Sequence, residues 1–424
     1  MSASTPIGSV GSVGSVGDES SVAQAKTQVK RKRSSKRRAK ATEPATVLVN
    51  EALFRPSEWD DYPLKRDDKH TNKVVQPDFA PFNNSQEPES LPEGFQFVAL
   101  NVNDDATIKL ITEFLNENYD GPFRFSPDHV KWVLNPPVDA FPRIHDIRAG
   151  GGCVIGVTTA QHTGNPRIVG LIAARPVTYA VDARVICSLE VVWMCTIAQL
   201  RGKRLASVMM KELYRRAYQW GVDIGMLFCV PRQLPALSTV GPIQILGREL
   251  DPQNPPKPNK NIGLVRFANR RDGTKLMKIY KQYREHWRLH REYNKREFEH
   301  TFLSRSDVLT YVIRTDRGDV KDFVSLFELQ SSSSAQPPRK IAFVHFISYL
   351  NDKLLELFMQ NILFIMFRNK FSAVYIADVN GAGNVLRNTL GFEPVKEYQA
   401  TYLYQFNYNT ITIPSNESQI SAPL

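Results

Sequence analysis

The sequence predicts an α/β protein of two related halves, each a mixed sheet flanked by helices. Three observations carry that prediction. At 424 residues the chain is too long for one ordinary domain and suits two core-bearing units and a tail. Short β-branched runs alternate along it with stretches of helical periodicity. The order of these elements over residues 95–230 recurs over 263–407, the mark of an internal repeat.

Taken in order, the first ninety residues offer little that could pack. "GSVGSVGSVG" at 8–17 is a low-complexity repeat, and "KRKRSSKRRAK" at 30–40 is a charge block without apolar periodicity, so 1–45 reads as a disordered basic tail. Order begins with "SEWDDYPL" at 57–64 and "LPEGFQFVAL", where Phe95, Phe97 and Ala99 alternate as in a half-buried strand. "ATIKLITEFLNENY" sets Ile108, Ile111, Phe114 and Leu115 on one helical face, and "SPDHVKWVL" is a helix capped by Ser126. The strands "CVIGVTT" and "RIVGLIAARPVTY" follow, joined through "AQHTGNP". A strand at 185–195 and a helix over about 204–220 complete a first half, 46–230.

The second half, 231–424, runs through "GLVRFANRRDGTKLMKIYKQY" (strand and helix), "EFEHTFL" (helix), and the hairpin "LTYVIRT" and "VKDFVSLFEL". Then come the strand "KIAFVHFIS", the long helix "KLLELFMQNILFIMFRN", the strand "AVYIADV" and the pair within "LGFEPVKEYQATYLYQF".

Composition narrows the function classes. Hydrophobic content of 42% with 23% charged residues is that of a globular protein, and the longest apolar stretch, "NILFIMF" at 361–367, is too short to cross a bilayer. With no apolar leader, a cytoplasmic location is expected. Four cysteines, at 153, 187, 195 and 229, show neither zinc nor disulfide spacing. Of the net charge of +11, most belongs to residues 1–40, which hold nine Lys or Arg against Asp18 and Glu19. Such a block can dock on nucleic acid, ribosomal RNA or acidic lipid, act as an import signal, or simply keep the chain in solution.

The junction "LRGKRLASVMMKEL" at 200–213 carries the chemistry. A helix N-terminus gathers unpaired N–H groups and the positive end of the helix dipole, and Gly202 lets the backbone approach a ligand. With Arg201, Lys203 and Arg204 beside it, the junction suits a diphosphate. A solvated turn with incidental charges is the bland alternative. Leu205, Val208, Met209, Leu213 and Trp220 form the stripe that would fix the helix to a core.

"LEVVWMCTIAQLRGKRLASVMMKEL" resembles the acyl-CoA-binding segment of the acyl-CoA N-acyltransferase superfamily, and more narrowly that of the N-myristoyltransferases. "EWDDYPL", "LPEGFQFVALN", "FLNENY", "FRFSPDHVKWVLNPP", "IVGLIAARPV", "EFEHTFL", "GDVKDFVSLFELQ" and "TYLYQF" extend the resemblance over roughly residues 55–407. It implies two fused acetyltransferase-like (GNAT) halves, the first holding acyl-CoA and the second much of the peptide. The implied reaction moves a myristoyl group from myristoyl-CoA to the N-terminal glycine amine of peptides or nascent chains. No permanently bound cofactor and no metal are implied, and a monomer is expected.

Carried over by position, the backbone amides of Trp193 and Met194 would form an oxyanion hole. Met194, Arg201, Gly202, Lys203, Arg204, Leu205 and Ala206 would hold CoA, with Trp59 over its nucleotide end. Tyr119, Asp120, Phe123 and Phe125 would meet the peptide, and the carboxylate of Leu424 would take the proton from the amine. The tail block, Lys30 to Lys40, matches one that is associated with ribosomes in that family.

The sequence departs from the family pattern in places. Its Glu-x-Asn-x-Leu-Cys strand keeps Glu190 and Cys195 but has Val192 for Asn; the acidic loop after "NENY" is cut to "DGP"; and a glycine-rich stretch near the C-terminus becomes "TLGFEPV" at 389–395. These losses leave a catalytically silent acyl-CoA-binding relative as the alternative, and an RNA-associated protein as a third reading. His286 and His290, four apart on an expected helix, match the spacing of two metal ligands or a polar face. Cys187 and Cys195 fall by parity on one side of their strand, in the core.

Overall fold

Between Lys73 and Gln419 the computed structural model describes residues 73–74, 87–88, 90–121, 123–137, 145, 147, 152–159, 167–182, 184–229, 238–260, 265–314, 318–331, 338–349, 351–396, 401–405, 408–409, 413, 416 and 418–419. The tail at 1–45, "SEWDDYPL" with Trp59, "AQHTGNP" and Leu424 lie outside the described residues. The elements run β1 (Lys73–Val74), β2 (Phe95–Ala99), α1 (Asp105–Asn118), β3 (Phe123–Arg124), α2 (Pro127–Leu134), β4 (Val154–Thr159), β5 (Ile168–Val181), β6 (Arg184–Thr196), α3 (Leu205–Gln219), β7 (Asp223–Cys229) and β8 (Ser238–Ile243). They continue with β9 (Ile245–Glu249), β10 (Val265–Phe267), α4 (Gly273–Arg284), β11 (Leu289–Glu292), α5 (Lys295–Leu303), β12 (Val308–Arg314), β13 (Val320–Ser331) and β14 (Lys340–Ile347). Last come α6 (Asp352–Arg368), β15 (Ala373–Ala377), α7 (Ala382–Leu390), β16 (Glu393–Pro394), β17 (Thr401–Gln405), β18 (Tyr408–Asn409) and β19 (Ser418–Gln419).

Local chemistry sets the helix limits. Asp104 caps α1 by accepting from the Thr107 N–H, and Ile108, Ile111, Phe114 and Leu115 are buried as the periodicity predicts. Ser126 caps α2 at the His129 N–H, with Pro127 in the first turn, where its missing donor costs nothing. Asn294 and Glu297 form a reciprocal capping box on α5.

The predicted repeat is present element for element. The series β2-α1-β3-α2-β4-β5-β6-α3-β7 matches β10-α4-β11-α5-β12-β13-β14-α6-β15, and the strand orders β2-β4-β5-β6-β7 and β10-β12-β13-β14-β15 correspond. The two sheets also exchange strands reciprocally. β9 enters the second sheet beside β15, while β17 enters the first between β7 and β8. The strands between helices cross over too: β3 pairs with β13, and β11 pairs with β5. A core layer containing Ile111, Val130 and Trp193 from one series and Phe327, Phe343 and Tyr375 from the other unites them.

The structure corrects several sequence expectations. The pair expected within "LGFEPVKEYQATYLYQF" is split, β16 on the second sheet and β17 on the first, because the exchange sends the chain from one to the other. Ala99 is exposed, so the alternation in β2 stops at Phe97. His286 and His290 share no helix. Helix α4 ends at Arg284, a turn closes from His286 N–H to the Tyr283 carbonyl, and His290 lies in β11. Their side chains bond the carbonyls of Tyr283 and Trp287, so the metal-ligand spacing was a product of the wrong periodicity.

Cys187 and Cys195 pack on opposite faces of β6, not on one. On β5, Ala174 faces Val191 and Ala173 faces Trp193, which leaves Val192 as an extra residue in β6. That bulge reverses the alternation. Cys187 therefore packs with the α3 side, and Cys195 with the layer between the sheets.

Candidate functional site

The site grows out of the same bulge. β6 runs parallel to β7, and their ladder reaches Val191 opposite Leu227. The bulge at Val192 follows at once, while pairing to β5 continues to Thr196 opposite Gly170. β6 is thus held on one side and turned away on the other, so that Trp193 and Met194 stand where the two strands diverge. Trp193 is buried against Phe125, with ring centres 5.2 Å apart, and Met194 packs on the α3 side.

Beyond β6 a single 3-10 turn, Ala198–Leu200, leads into residues 201–204 and α3. Gly202 and Arg204 both adopt left-handed backbone angles, φ 74° and 66°. A Cβ at Gly202 would meet nothing within 4 Å, so glycine is there for its backbone freedom rather than for space. Helix α3 starts without a side-chain cap. Its first-turn donors and positive dipole end therefore point out of a cationic turn, an arrangement suited to phosphate. Leu205, Val208, Met209, Leu213 and Trp220 are buried as expected, and Leu205 and Met209 approach Gly170 so closely that an added Cβ would lie 3.0 Å from each. Leu205 can offer a ligand only its backbone, and Ala206 is half-buried.

The second series shows what a closed version looks like. β14 carries the matching bulge at His345, since Ser325 faces Phe346 and Leu326 faces Val344. The ladder to β15 also reaches Val344 opposite Ile376. Here, however, the extra residue, buried like Val192, is held by a hydrogen bond, His345 Nε2 to Ser325 Oγ at 2.8 Å, and Asn351 caps α6 at the Leu354 N–H. Of these two junctions, the first keeps an uncapped helix start.

Residues expected at the peptide side gather around the first junction. Arg201 Nη1 donates to Asp120 Oδ2 at 2.6 Å and Nη2 to the Asn118 carbonyl at 2.7 Å, which ties the cationic turn to the segment after α1. Tyr119 ends α1 and lies 6.2 Å, ring to ring, from Phe125. Phe125 stacks on His129 at 5.7 Å. Phe123 sits deeper, edge-on to Phe343 and Tyr375 of the second sheet.

Sequence reasoning singled out Glu190 but missed its partners. Arg175 Nε and Arg291 Nη1 both donate to Glu190 Oε2, at 2.7 and 2.8 Å. Burial alone would push the Glu190 carboxyl up; the two guanidinium groups overturn that and hold it below the usual range. Arg175 in the middle of an otherwise apolar strand was the visible signal. Arg291 gave none, because its strand arrives by exchange. Surface clefts of about 300 and 510 Å³ border β9 on the second sheet and share no residue with the β6–α3 junction. Among the described residues no three His, Cys, Asp or Glu side chains group as metal ligands.

Known proteins match this arrangement. The glycylpeptide N-tetradecanoyltransferase of Kluyveromyces lactis is 26% identical over 321 residues, 66% of this chain and 65% of that protein. The Drosophila melanogaster protein of that name is 26% identical over 373 residues, 80% of this chain and 74% of its own length. The chain thus spans a little under two thirds of the first relative and about three quarters of the second. Among solved structures, Saccharomyces cerevisiae N-myristoyltransferase with bound myristoyl-CoA shares the fold, with a TM-score of 0.69 over 86% of this chain and 95% of that one at 19% identity. The family models for the N-terminal and C-terminal domains of myristoyl-CoA:protein N-myristoyltransferase match residues 74–236 and 248–422, and by those matches the chain belongs to the N-myristoyltransferase family.

Proposed function

We propose that this protein transfers a myristoyl group from myristoyl-CoA to the α-amine of an N-terminal glycine. The observation that carries this is the uncapped, cationic start of α3 beyond a strand that turns away from its neighbour, with the equivalent junction of the second series closed. The diphosphate rests on Arg201, Gly202, Lys203, Arg204, Leu205 and Ala206, largely through N–H groups, and Trp59 covers the nucleotide. The amides of Trp193 and Met194 receive the thioester oxygen as charge develops on it, a contribution of about 3 kcal/mol for each well-placed donor. Tyr119, Asp120, Phe123 and Phe125 form the acceptor side. Leu424 takes the amine proton.

The pairing of β19 supports that last role. β19 runs parallel to β11, Gln419 beside His290, and β11 runs antiparallel to β5 from Val181 toward Thr178. That pairing keeps the last described residues, Ser418 and Gln419, in the sheet that carries Trp193. The division into a donor half, 46–230, and an acceptor half, 231–424, belongs to the same reading. So do action in the cytoplasm as a monomer on peptides or nascent chains, and docking of Lys30 to Lys40 on the ribosome. No helix among the described residues is long and apolar enough to cross a membrane.

Incubation with labelled myristoyl-CoA and a panel of glycine-first peptides tests the reading. Labelled amide is expected with glycine-first peptides and not with their N-acetylated forms. Thioester bound without any amide product would overturn it.

A further inference from the structure

We infer that Asn380 is a positioning residue for acyl transfer: its bond to Gln419 pins the C-terminal segment that presents the Leu424 carboxylate. The inference rests on the acyl-transfer reading and adds a residue that acts through another.

The C-terminal segment bridges the first sheet. Ile413 pairs with β8, its N–H donating to the Thr239 carbonyl at 3.0 Å and its carbonyl accepting from the Gly241 N–H at 3.3 Å. Five residues later Ser418 pairs with Leu289 of β11. β8 and β19 lie at opposite ends of the order β19-β11-β5-β6-β7-β17-β8, so a flat sheet would set them about 29 Å apart. Five residues reach no more than about 18 Å. The sheet therefore curls until one short segment spans its two ends, and Ile413 joins the buried layer that holds Trp193.

The far end of that bridge has a weak ladder of its own. β19 is two residues long and paired in parallel, the less stable arrangement. The side chain of its second residue supplies the hold. Gln419 is 4% exposed, and its Oε1 accepts from Asn380 Nδ2 at 2.6 Å. Asn380, itself buried, stands between β15 and α7 in the left-handed conformation, φ 57°, which asparagine tolerates better than most side chains. Its Oδ1 takes the Ala382 N–H at 3.3 Å, and its carbonyl takes the Tyr349 hydroxyl at 2.9 Å. With Oδ1 committed to the backbone, the amide nitrogen is left for Gln419. A loop of the second sheet thus clasps a strand added to the first.

From Gln419 five residues remain, so Leu424 stays within about 18 Å of the clasp. Without it β19 frays, the chain is next held at Ile413, and the tether grows from five residues to eleven. The local concentration of a tethered group falls as about the −3/2 power of tether length, here about three-fold. In the transfer the carboxylate takes one proton from the glycine ammonium. The amine then forms the N–C bond as the thioester C–S bond breaks, and its second proton leaves with the CoA thiol. A diluted carboxylate slows the first of these steps, and only while the amine is protonated. An α-amine of ordinary value about 8 is mostly charged at pH 7 and mostly neutral at pH 9.

Steady-state kinetics of the full chain at those two pH values, with myristoyl-CoA and a glycine-first peptide, test this in Gln419→Met, Asn380→Gly and the double variant. Methionine matches the length of glutamine without its acceptor, and glycine holds the backbone angle of Asn380 without its amide. Each single variant is expected to lose about three-fold in kcat at pH 7 and less than about 1.5-fold at pH 9, with KM for myristoyl-CoA unchanged. The double variant should lose no more than either single one, since both remove the same bond. Urea midpoints check that the variants fold. A loss equal at the two pH values, additive losses, or no loss would overturn the inference and leave acyl transfer standing. A wild-type chain that yields no amide at either pH would overturn both.

Discussion

His129 and His345 are buried to 4% and 5% exposure and held neutral by the desolvation of their rings and by neighbouring cations. Their folded-state values, about 3, lie below the ordinary 6.5, so between those limits the unfolded chain binds the more protons. Stability must therefore fall as the pH drops from 6.5 toward 3, by about 1.4 kcal/mol per pH unit for each ring. Glu190 adds to this only lower down, since its stabilisation is lost as the pH falls through its depressed value. Urea midpoints measured from pH 7 to pH 4 should show the slope, and His129→Phe should flatten it; an unchanged slope would mean that the ring is already charged in the native state. None of this was legible in the sequence. "SPDHVKW" gave the helix and its cap correctly, but the packing of His129 on Phe327 and the influence of Arg175 on it come from residues about 200 and 50 positions away.

Elements were read more successfully than their exact geometry. Helix α3 was expected over about 204–220 and spans Leu205–Gln219, because its stripe repeats with the period of a helix and tolerates no other structure. The bulge at Val192 left no trace, since one extra residue changes parity without changing composition. It is nevertheless what turns Trp193 inward and ends the parallel ladder, so the site depends on the feature hardest to foresee. The left-handed turn before α3 was better marked, by a glycine. Gly202→Ala adds a side chain into open space but asks alanine to hold φ near 74°. The cost is about 1 kcal/mol of backbone strain, and if the residue moves out of that conformation the phosphate donors move with it. Calorimetry should find myristoyl-CoA bound at least five-fold more weakly by this variant, with the urea midpoint only slightly lowered. Undiminished affinity would remove the turn from the donor seat.

At the scale of the whole molecule, the recurrence of element order was legible, and it is matched strand for strand. The exchange of strands was not, because a sequence shows which segments can be strands and not which sheet they join. β17 sits inside the first sheet and β9 inside the second, so neither sheet is complete without a segment that lies outside its own series. The cluster of Glu190, Arg175 and Arg291 depends on that exchange, since β11 brings Arg291 across. The two sheets should accordingly unfold in one transition, with circular dichroism and tryptophan fluorescence giving coincident denaturation curves. Two separated transitions would show that each series stands alone. The position of β17 also bears on how the protein is born. As the chain emerges from the ribosome, β7 and β8 wait for Thr401–Gln405 to come between them, so the earlier sheet is finished only after the later one has been synthesised. During that delay the newborn protein must carry an open sheet edge, the kind of surface that chaperones cover.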